Sequence, residues 1–266
     1  MRAISKTATN GEINCLDPGG FGTLTITKSI SVVCDYTEGG VLSAGVNGFI
    51  INAPAGSIVT LKGQDIECFG TGINGIEMIN VGVILHIHKV QIRNCRGGGN
   101  GVLIANSSAT ALVSLVDSYI TDNGNSTITG GLLVRPTGSG SVFVDVNRTQ
   151  FEANALGIRI DSSATTGVVR GLVRDSVLFA NTNNGVTAVS GGTLSQLMLD
   201  KMSVIGNTFG IVVNGAAATI NTTNSTVAAN GTGVFVNGSG TLNTYHTNAV
   251  NNNNSDGAFT NFISPQ

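Results

Sequence analysis

The chain has 266 residues, of which 11% are charged, and its formal net charge is −2. Such a chain offers no basic stripe for phosphates, so we expect no nucleic-acid partner. No apolar run is long enough to span a membrane, and no cofactor is predicted.

Residues 1–47 are predicted to form irregular coils and an N-terminal cap. The first residues, Met1 to Ile4, carry no signal-peptide pattern and resemble the middle of a coil. We therefore expect a truncated or mature form of a longer protein.

The four cysteines end similar segments in the first hundred residues. Cys15 and Cys34 are separated by about one coil, and so are Cys68 and Cys95. We expect each pair to be in contact across adjacent coils. The contact is either a disulfide, as in exported proteins, or a ladder of reduced thiols.

Residues 48–256 repeat one pattern. A glycine followed by alternating apolar residues recurs about every 26 positions, which indicates a solenoid. The repeat that starts at Gly157 contains three short strand-like stretches, near residues 157–160, 169–173 and 177–178, separated by polar turns. Three strands and three turns make one coil of a β-helix, so the predicted fold is an all-β, single-domain parallel β-helix of about nine coils.

Alignment of the coils shows columns of similar residues. Three apolar columns are predicted to face one shared interior, and one of them is Ile92, Ile120, Phe151, Leu178, Val204, Val227 and Val250. A fourth column is polar and consists of Asn123, Asn154, Asn181, Asn207, Asn230 and Asn253. Asparagine tolerates the left-handed backbone of a sharp corner, and stacked amides can bond from coil to coil. We therefore predict a structural role for this column.

The motif Asn-x-x-Gly-Ile-x-Ile, clear in residues 154–160 and 207–213, resembles the repeats of the pectin-lyase-like superfamily. The stretch from Gly11 to Asn47 is similar to uncharacterised bacterial exported β-helix proteins. The resemblance implies a right-handed parallel β-helix. It also implies a secreted, carbohydrate-binding or carbohydrate-active protein that is exported to the periplasm or the extracellular space.

One charged column alternates in sign from coil to coil: Lys89, Asp117, Arg148, Asp175, Lys201 and Asn224. Stacked opposite charges favour a solvated ion-pair ladder. The alternative is that Asp117, Arg148 and Asp175 form a catalytic or saccharide-binding triplet, with Asp145 and Arg174 nearby.

Two histidines share one face of a predicted strand. His86 and His88 could bind a metal together with Glu67 of the preceding coil, but two histidines without a third are a weak signal. We therefore predict no metal site and keep the pair as candidates only.

The corners after residues 94 and 123 are longer than the others, and insertions on one face of a solenoid often mark a binding face. The predicted binding residues there and on the next strands are Arg96, Asn100, Asn125, Thr127, Arg135 and Arg159.

Residues 257–266 are predicted to form a C-terminal cap around Phe259 and Phe262. No cluster of catalytic carboxylates is visible, which favours a non-catalytic binding or scaffold protein with a polysaccharide or cell-surface partner. A polysaccharide lyase or hydrolase with an unfamiliar site, and an oligomeric fibre or tailspike-like module, remain alternatives. The sequence does not predict the oligomeric state.

Overall fold

The structure is a computed structural model and describes residues 2–264, without the side chain of Arg2. The caps predicted at the two ends include Met1, Pro265 and Gln266, which lie outside the described residues. The chain forms a parallel β-solenoid of about nine turns, with three sheets and almost no helix. This confirms the predicted all-β solenoid.

Each coil contributes one strand to each sheet, in the order sheet 1, sheet 2, sheet 3. The strands of sheet 1 within the described residues are β1 (Gly11–Asn14), β4 (Ile30–Val33), β7 (Ile58–Lys62), β10 (Ile84–His88), β13 (Thr110–Val116), β16 (Ser141–Asn147), β19 (Val169–Arg174), β22 (Ser195–Asp200), β25 (Ala218–Thr223), β28 (Thr241–Thr244) and β30 (Asn261–Phe262).

Sheet 2 is built from shorter strands. They are β2 (Gly19–Gly20), β5 (Gly39–Leu42), β8 (Gln64–Glu67), β11 (Gln91–Arg93), β14 (Tyr119–Thr121), β17 (Gln150–Glu152), β20 (Val177–Phe179), β23 (Ser203–Ile205), β26 (Thr226–Ala228) and β29 (Ala249–Val250).

Sheet 3 completes the coil. Its strands are β3 (Leu24–Ile26), β6 (Phe49–Ile51), β9 (Ile76–Val81), β12 (Val102–Ser108), β15 (Leu132–Val134), β18 (Ile158–Asp161), β21 (Asn184–Val189), β24 (Phe209–Asn214) and β27 (Thr232–Asn237).

The solenoid begins earlier than the sequence pattern indicates. Residues 11–47, expected to be irregular, already form paired strands of all three sheets. Residues 2–6, expected to resemble the middle of a coil, instead form a short helix, α1 (Arg2–Lys6), whose Ile4 packs against the core. At the other end, β30 extends sheet 1, and the Phe262 ring stacks on His246 with centroids 4.8 Å apart.

The apolar columns face the interior as predicted. Ile92, Ile120, Phe151 and Leu178 are fully buried, and each pairs in register with the next. Burial of one aliphatic side chain contributes about 1.5–3 kcal/mol, and the shared column makes each coil depend on its neighbours.

The asparagine column forms a buried ladder. Asn181 Oδ1 accepts hydrogen bonds from the backbone nitrogen and Nδ2 of Asn154, at 3.1 and 3.2 Å. Asn181 Nδ2 donates to Asn207 Oδ1 at 2.9 Å and to the Phe151 carbonyl at 3.2 Å. The predicted amide bonding between coils is therefore confirmed.

The predicted backbone conformation of this ladder is wrong. The left-handed residue is the one before the asparagine, for example Ala153 (φ 52°) and Ala180 (φ 53°). The chain turns at that residue, and the asparagine follows with its amide inside the coil.

A second ladder, of hydroxyl groups, lies at the corner between sheets 1 and 2. Ser118 Oγ accepts the Val90 N–H at 3.2 Å, and Ser176 Oγ accepts the Thr149 N–H at 3.1 Å. Both serines are at most 5% exposed. Satisfied polar groups at this corner hold adjacent coils in register in the same way as the asparagines.

Candidate binding surface

The outer face of sheet 1 carries a shallow groove across four strands, β10, β13, β16 and β19. Its volume is about 460 Å³. Strand alternation points every second side chain outward. The outward residues that line the groove are Ile84, His86, Leu112, Ser114, Phe143, Asp145, Arg170 and Leu172. We call this surface the sheet 1 groove.

The apolar part of the sheet 1 groove is a row of register neighbours. Ile84 pairs with Leu112, and Leu112 pairs with Phe143. Leu112 is 44% exposed and Phe143 is 40% exposed, although both are large apolar side chains. The row is therefore an exposed apolar strip on an otherwise polar face.

A polar row runs beside it. His86, Ser114 and Asp145 are register neighbours on successive strands. His86 Nδ1 and Ser114 Oγ are hydrogen-bonded at 2.8 Å, and Arg174 Nη2 lies 3.3 Å from Asp145 Oδ2. The groove therefore combines an aromatic ring with a carboxylate, a hydroxyl and an imidazole.

The charged column lies at the corner between sheets 1 and 2, at the edge of this face. Arg148 Nε is 2.6 Å from Asp117 Oδ1, whereas Lys89 Nζ lies 3.1 Å from Asp35 Oδ1. The hydrogen bond from Arg148 lowers the pKa of Asp117, with the charges of Arg148, His88 and Lys89 acting in the same direction. Asp117 is thus held as a carboxylate, which suits an ion pair better than a general acid. Among the described residues this is the one ion pair between members of the column, so the predicted ladder is a single pair.

All six residues of the charged column have a left-handed backbone conformation, with φ between 46° and 53°. Arg148 has the lowest value, 46°. The column therefore marks a sharp backbone corner, which sets the direction of its side chains. The sequence pattern predicted the charges, but it placed the left-handed turn at the other corner.

His86 and His88 lie on the outer face of β10, with ring centroids 6.2 Å apart. Burial lowers the pKa of His88, and the charge of His86 lowers it further. Glu67, proposed as a third ligand, is on sheet 2, where it binds Arg93 and accepts a hydrogen bond from Asn94. That part of the prediction is wrong, because the corner after β10 separates the two strands. No group of three metal-ligating side chains occurs in the described part of the chain.

Arg159 lies on β18 of sheet 3, Arg135 directly follows β15, and both approach Asp161. Arg159 Nη2 is 2.7 Å from Asp161 Oδ2, and Arg135 Nε is 3.7 Å from the same oxygen. Asp161 is 1% exposed. Burial opposes ionisation, but hydrogen bonds from Ser163 and Arg159 lower the pKa of Asp161. The guanidinium of Arg159 is therefore held in an ion pair with a buried carboxylate.

The long corner after residue 123 is partly open to solvent. Arg96 forms an ion pair with Asp122, and Asn125 Nδ2 donates to the Arg96 carbonyl at 3.0 Å. Asn125 and Thr127 are exposed. This corner remains a candidate for ligand contacts, separate from the sheet 1 groove.

The structure buries Asn100 inside the solenoid, so its predicted position on a binding surface is wrong. It was expected at the binding corner, but it is 3% exposed and belongs to a short ladder with Asn47 and Asn74. Its Oδ1 accepts the Gly130 N–H at 2.9 Å. The asparagine that precedes each glycine faces inward here, so its amide stabilises adjacent coils.

Sheet 2 carries a set of ionic contacts that the sequence pattern did not reveal. Arg93 binds Asp65, and its Nε is 2.7 Å from Glu67 Oε2. Tyr119 donates to Glu152 Oε2 at 2.7 Å. The two carboxylates on β8 share one guanidinium. The two-residue spacing of Asp65 and Glu67 places both carboxylates on one face of a strand, which indicates a shared cation. The sequence pattern did not identify that cation, because Arg93 belongs to the next coil.

The cysteines are paired within the N-terminal coils. Disulfides join Cys15 to Cys34 and Cys68 to Cys95, with Cα atoms 4.8 and 4.7 Å apart. Each bond links two adjacent coils. A cross-link of this kind limits the freedom of the unfolded chain.

Comparison with protein-family models, with curated proteins and with solved structures finds no match to this chain. No helix in the described residues is long and apolar enough to cross a membrane.

Proposed function

We propose that this protein is a non-catalytic β-helix of the pectin-lyase-like superfamily that is exported and binds an extended glycan along the sheet 1 groove. The observation that supports this proposal is the exposed Phe143 ring, which lies beside Leu112 and next to the polar row of Ser114 and Asp145. Two disulfides support export, because such bonds persist in oxidising compartments.

The chemistry of the groove suits a sugar. One face of a pyranose ring is made of C–H groups, which pack on an aromatic or aliphatic surface, while its hydroxyls need hydrogen-bond partners. Phe143 and Leu112 provide an apolar surface for the C–H groups, and Asp145 and Arg170 provide hydrogen-bond partners for the hydroxyls. The strands are spaced about 4.8 Å apart, so the groove presents repeated positions to a linear polymer.

The paired state of several carboxylates supports the proposal of binding without turnover. Asp117 is paired with Arg148, and Asp65 and Glu67 share Arg93. A glycosidase needs one carboxyl group that stays protonated near neutral pH and a second carboxylate opposite it. Carboxylates neutralised by arginine do not provide that pair.

The test is a glycan array, followed by a reducing-sugar assay and an ultraviolet assay for unsaturated products on every glycan that binds. We expect binding without product, and weaker binding by Asp145→Asn. Product formation that disappears in Arg148→Ala or Asp175→Ala would instead establish a polysaccharide-active enzyme.

An assembly module is the second candidate, because the outward residues Ile58, Leu112 and Phe143 are 40–49% exposed. Two copies could bury this row against each other. Analytical ultracentrifugation of the native protein and of Leu112→Lys distinguishes the two functions. A concentration-dependent oligomer that Leu112→Lys dissociates, together with no glycan binding, would favour assembly.

A further inference from the structure

Nine asparagines of this chain are followed directly by a glycine. They are Asn10, Asn47, Asn74, Asn100, Asn123, Asn184, Asn214, Asn230 and Asn237. In such a pair the glycine nitrogen can attack the asparagine side chain, because no Cβ atom on the glycine hinders the approach. The attack needs a glycine N–H that is free of hydrogen bonds and an asparagine side chain that can move. The fold therefore determines which of the nine asparagines react.

Most of the nine are protected by hydrogen bonds between coils. The N–H groups that donate to a carbonyl oxygen of an adjacent coil, at 2.8–3.0 Å, are those of Gly48, Gly75, Gly101, Gly124 and Gly231. Gly185 is buried within β21. Asn10 is exposed, but the Gly11 N–H donates to the Ala8 carbonyl at 3.0 Å. Each of these bonds must open before the nitrogen can react, which costs free energy.

The remaining two pairs occupy the same position on successive coils. Asn214 and Asn237 are register neighbours at the ends of β24 and β27. The Gly215 N–H donates to the Asn237 carbonyl oxygen at 3.1 Å, so the next coil protects it. That carbonyl and the Gly238 N–H belong to one trans peptide unit and point in opposite directions. The Gly238 N–H therefore points away from β24, towards the edge of the sheet.

This edge of sheet 3 is open beside Gly238. β27 is the last strand of the sheet in the described residues, and the C-terminal segment covers its beginning, where the Val234 N–H donates to the Asp256 carbonyl at 3.0 Å. The Gly238 N–H has no hydrogen-bond partner in the part of the chain that the structure describes. A terminal strand leaves such groups unpaired, because no further coil follows it.

The Asn237 side chain is held weakly. It is exposed, and among the described residues its hydrogen bond runs from Nδ2 to Asn214 Oδ1 at 3.4 Å, which is long. Gly238 and Ser239 are both left-handed, with φ of 59° and 63°, and they form an exposed turn before β28. Exposed turns are among the more mobile parts of a fold, so the side chain can reach the nitrogen that attacks it.

We propose that Asn237 is the fastest site of spontaneous deamidation in the folded protein. The Gly238 nitrogen forms a bond to the Asn237 Cγ atom, and the Cγ–Nδ2 bond breaks. Nδ2 leaves as ammonia, with the proton that the Gly238 nitrogen gives up. Water then opens the succinimide ring to give aspartate or isoaspartate, and no oxidant or reductant is needed. The product carries a new carboxylate at the open edge of sheet 3.

The test is incubation of the folded full chain at mildly alkaline pH, followed by chymotryptic peptide mapping with mass spectrometry. Cleavage after Phe235 places Asn214 and Asn237 in separate peptides. The readout is the mass gain that accompanies replacement of an amide NH2 by OH. We expect conversion of Asn237 to be at least about tenfold faster than that of Asn214 or Asn10, because a glycine hydrogen bond must open first at both of those sites.

Two substitutions on neighbouring coils provide a matched pair, with circular dichroism to verify folding. Asn237→Gln lengthens the side chain by one methylene group, which disfavours ring closure, and it should remove most of the ammonia that the folded protein releases. Asn214→Gln makes the same change at the protected position and should leave the release unchanged.

The native chain in guanidinium chloride is the control for local sequence, and there Asn10, Asn214 and Asn237 should react at similar rates. If a variant fails to fold, peptide mapping of the native chain decides the proposal. Equal rates at Asn214 and Asn237 in the folded protein, a difference between them that persists in denaturant, or unchanged ammonia release by folded Asn237→Gln would overturn it.

Discussion

The outer faces of sheets 1 and 3 are built by the same strand alternation, yet sheet 1 leaves apolar side chains open in the groove, whereas sheet 3 covers them on β15 and β24 and exposes Phe235 on its last strand, β27. Leu112 and Phe143 on sheet 1 are 44% and 40% exposed, whereas Leu133 and Val212 on sheet 3 are each 8% exposed. Another outward side chain of sheet 3, Thr187, is 2% exposed, and its hydroxyl accepts a hydrogen bond from the Asn184 amide at 2.9 Å. A face already covered serves stability, and a face left open is available to a partner.

The ion pairs of the two faces should differ most in their contribution to stability. We expect Asp161→Asn on sheet 3 to lower the free energy of unfolding by about 3 kcal/mol, because it removes the buried carboxylate that pairs with Arg159, whose side chain is 17% exposed. Asp145→Asn on sheet 1, whose pair with Arg174 is open to solvent, should cost less than about 1 kcal/mol. Urea unfolding of both variants measures the difference, and equal losses would remove the distinction between the faces.

Truncation of an apolar side chain should also cost more stability on sheet 3 than on sheet 1, with a smaller difference in the free energy of unfolding. Leu133→Ala on sheet 3 removes buried methyl groups and should cost about 2–3 kcal/mol. Leu112→Ala on sheet 1 should cost less than about 1 kcal/mol, because its side chain is already partly in water. The same unfolding measurement applies, with circular dichroism to verify that the solenoid is intact. A larger loss for Leu112→Ala would mean that the open face is structural.

Glu77 provides a test of the covered face by pH. It lies between Ile50 and Leu103 on sheet 3, and burial raises its pKa above the ordinary value of 4.5 more than the Asn74 amide lowers it. The folded state therefore binds the proton more tightly than the unfolded state, and this stabilisation is lost as the pH rises through the folded pKa. Glu77→Gln should melt at a higher temperature than the native protein at pH 7.

Below pH 4.5 the advantage of Glu77→Gln should disappear, because the native carboxyl is then protonated in both states. Calorimetric melting temperatures of both proteins between pH 3 and pH 8 check this. A constant difference across the whole range would show that ionisation of Glu77 is not its cause.

The smallest effect should come from the exposed corner pair of Asp117 and Arg148. A double-mutant cycle with Asp117→Asn and Arg148→Gln should give a weak coupling that falls as salt is added, since solvent screens both charges. A strong coupling that persists in 1 M salt would mean that solvent does not screen the two charges. The edge of sheet 1 would then be covered in the same way as sheet 3.

The number of strands in each coil and the interior ladders could be predicted from the sequence. Residues such as Asn154 and Asn181 recur at the repeat spacing, so the alignment of the coils is enough to place them in one stacked column. The outer faces were harder to predict. The neighbours of Phe143 are Leu112 and Arg170, which lie 31 and 27 positions away, and coils of unequal length hide that register. Burial of Asn100 was missed for the same reason, because its partner Asn74 belongs to another coil.

The proposed role of sheet 1 as the binding face is tested most directly by a matched pair of phenylalanine variants. Phe143 on sheet 1 and Phe235 on sheet 3 are 40% and 43% exposed, so truncation of either removes a similar ring. Calorimetry with a glycan that the native protein binds should show at least about tenfold weaker binding by Phe143→Ala, as expected for loss of a central aromatic contact, and unchanged binding by Phe235→Ala. Full affinity in Phe143→Ala, or an equal loss in Phe235→Ala, would contradict the assignment of the sheet 1 groove.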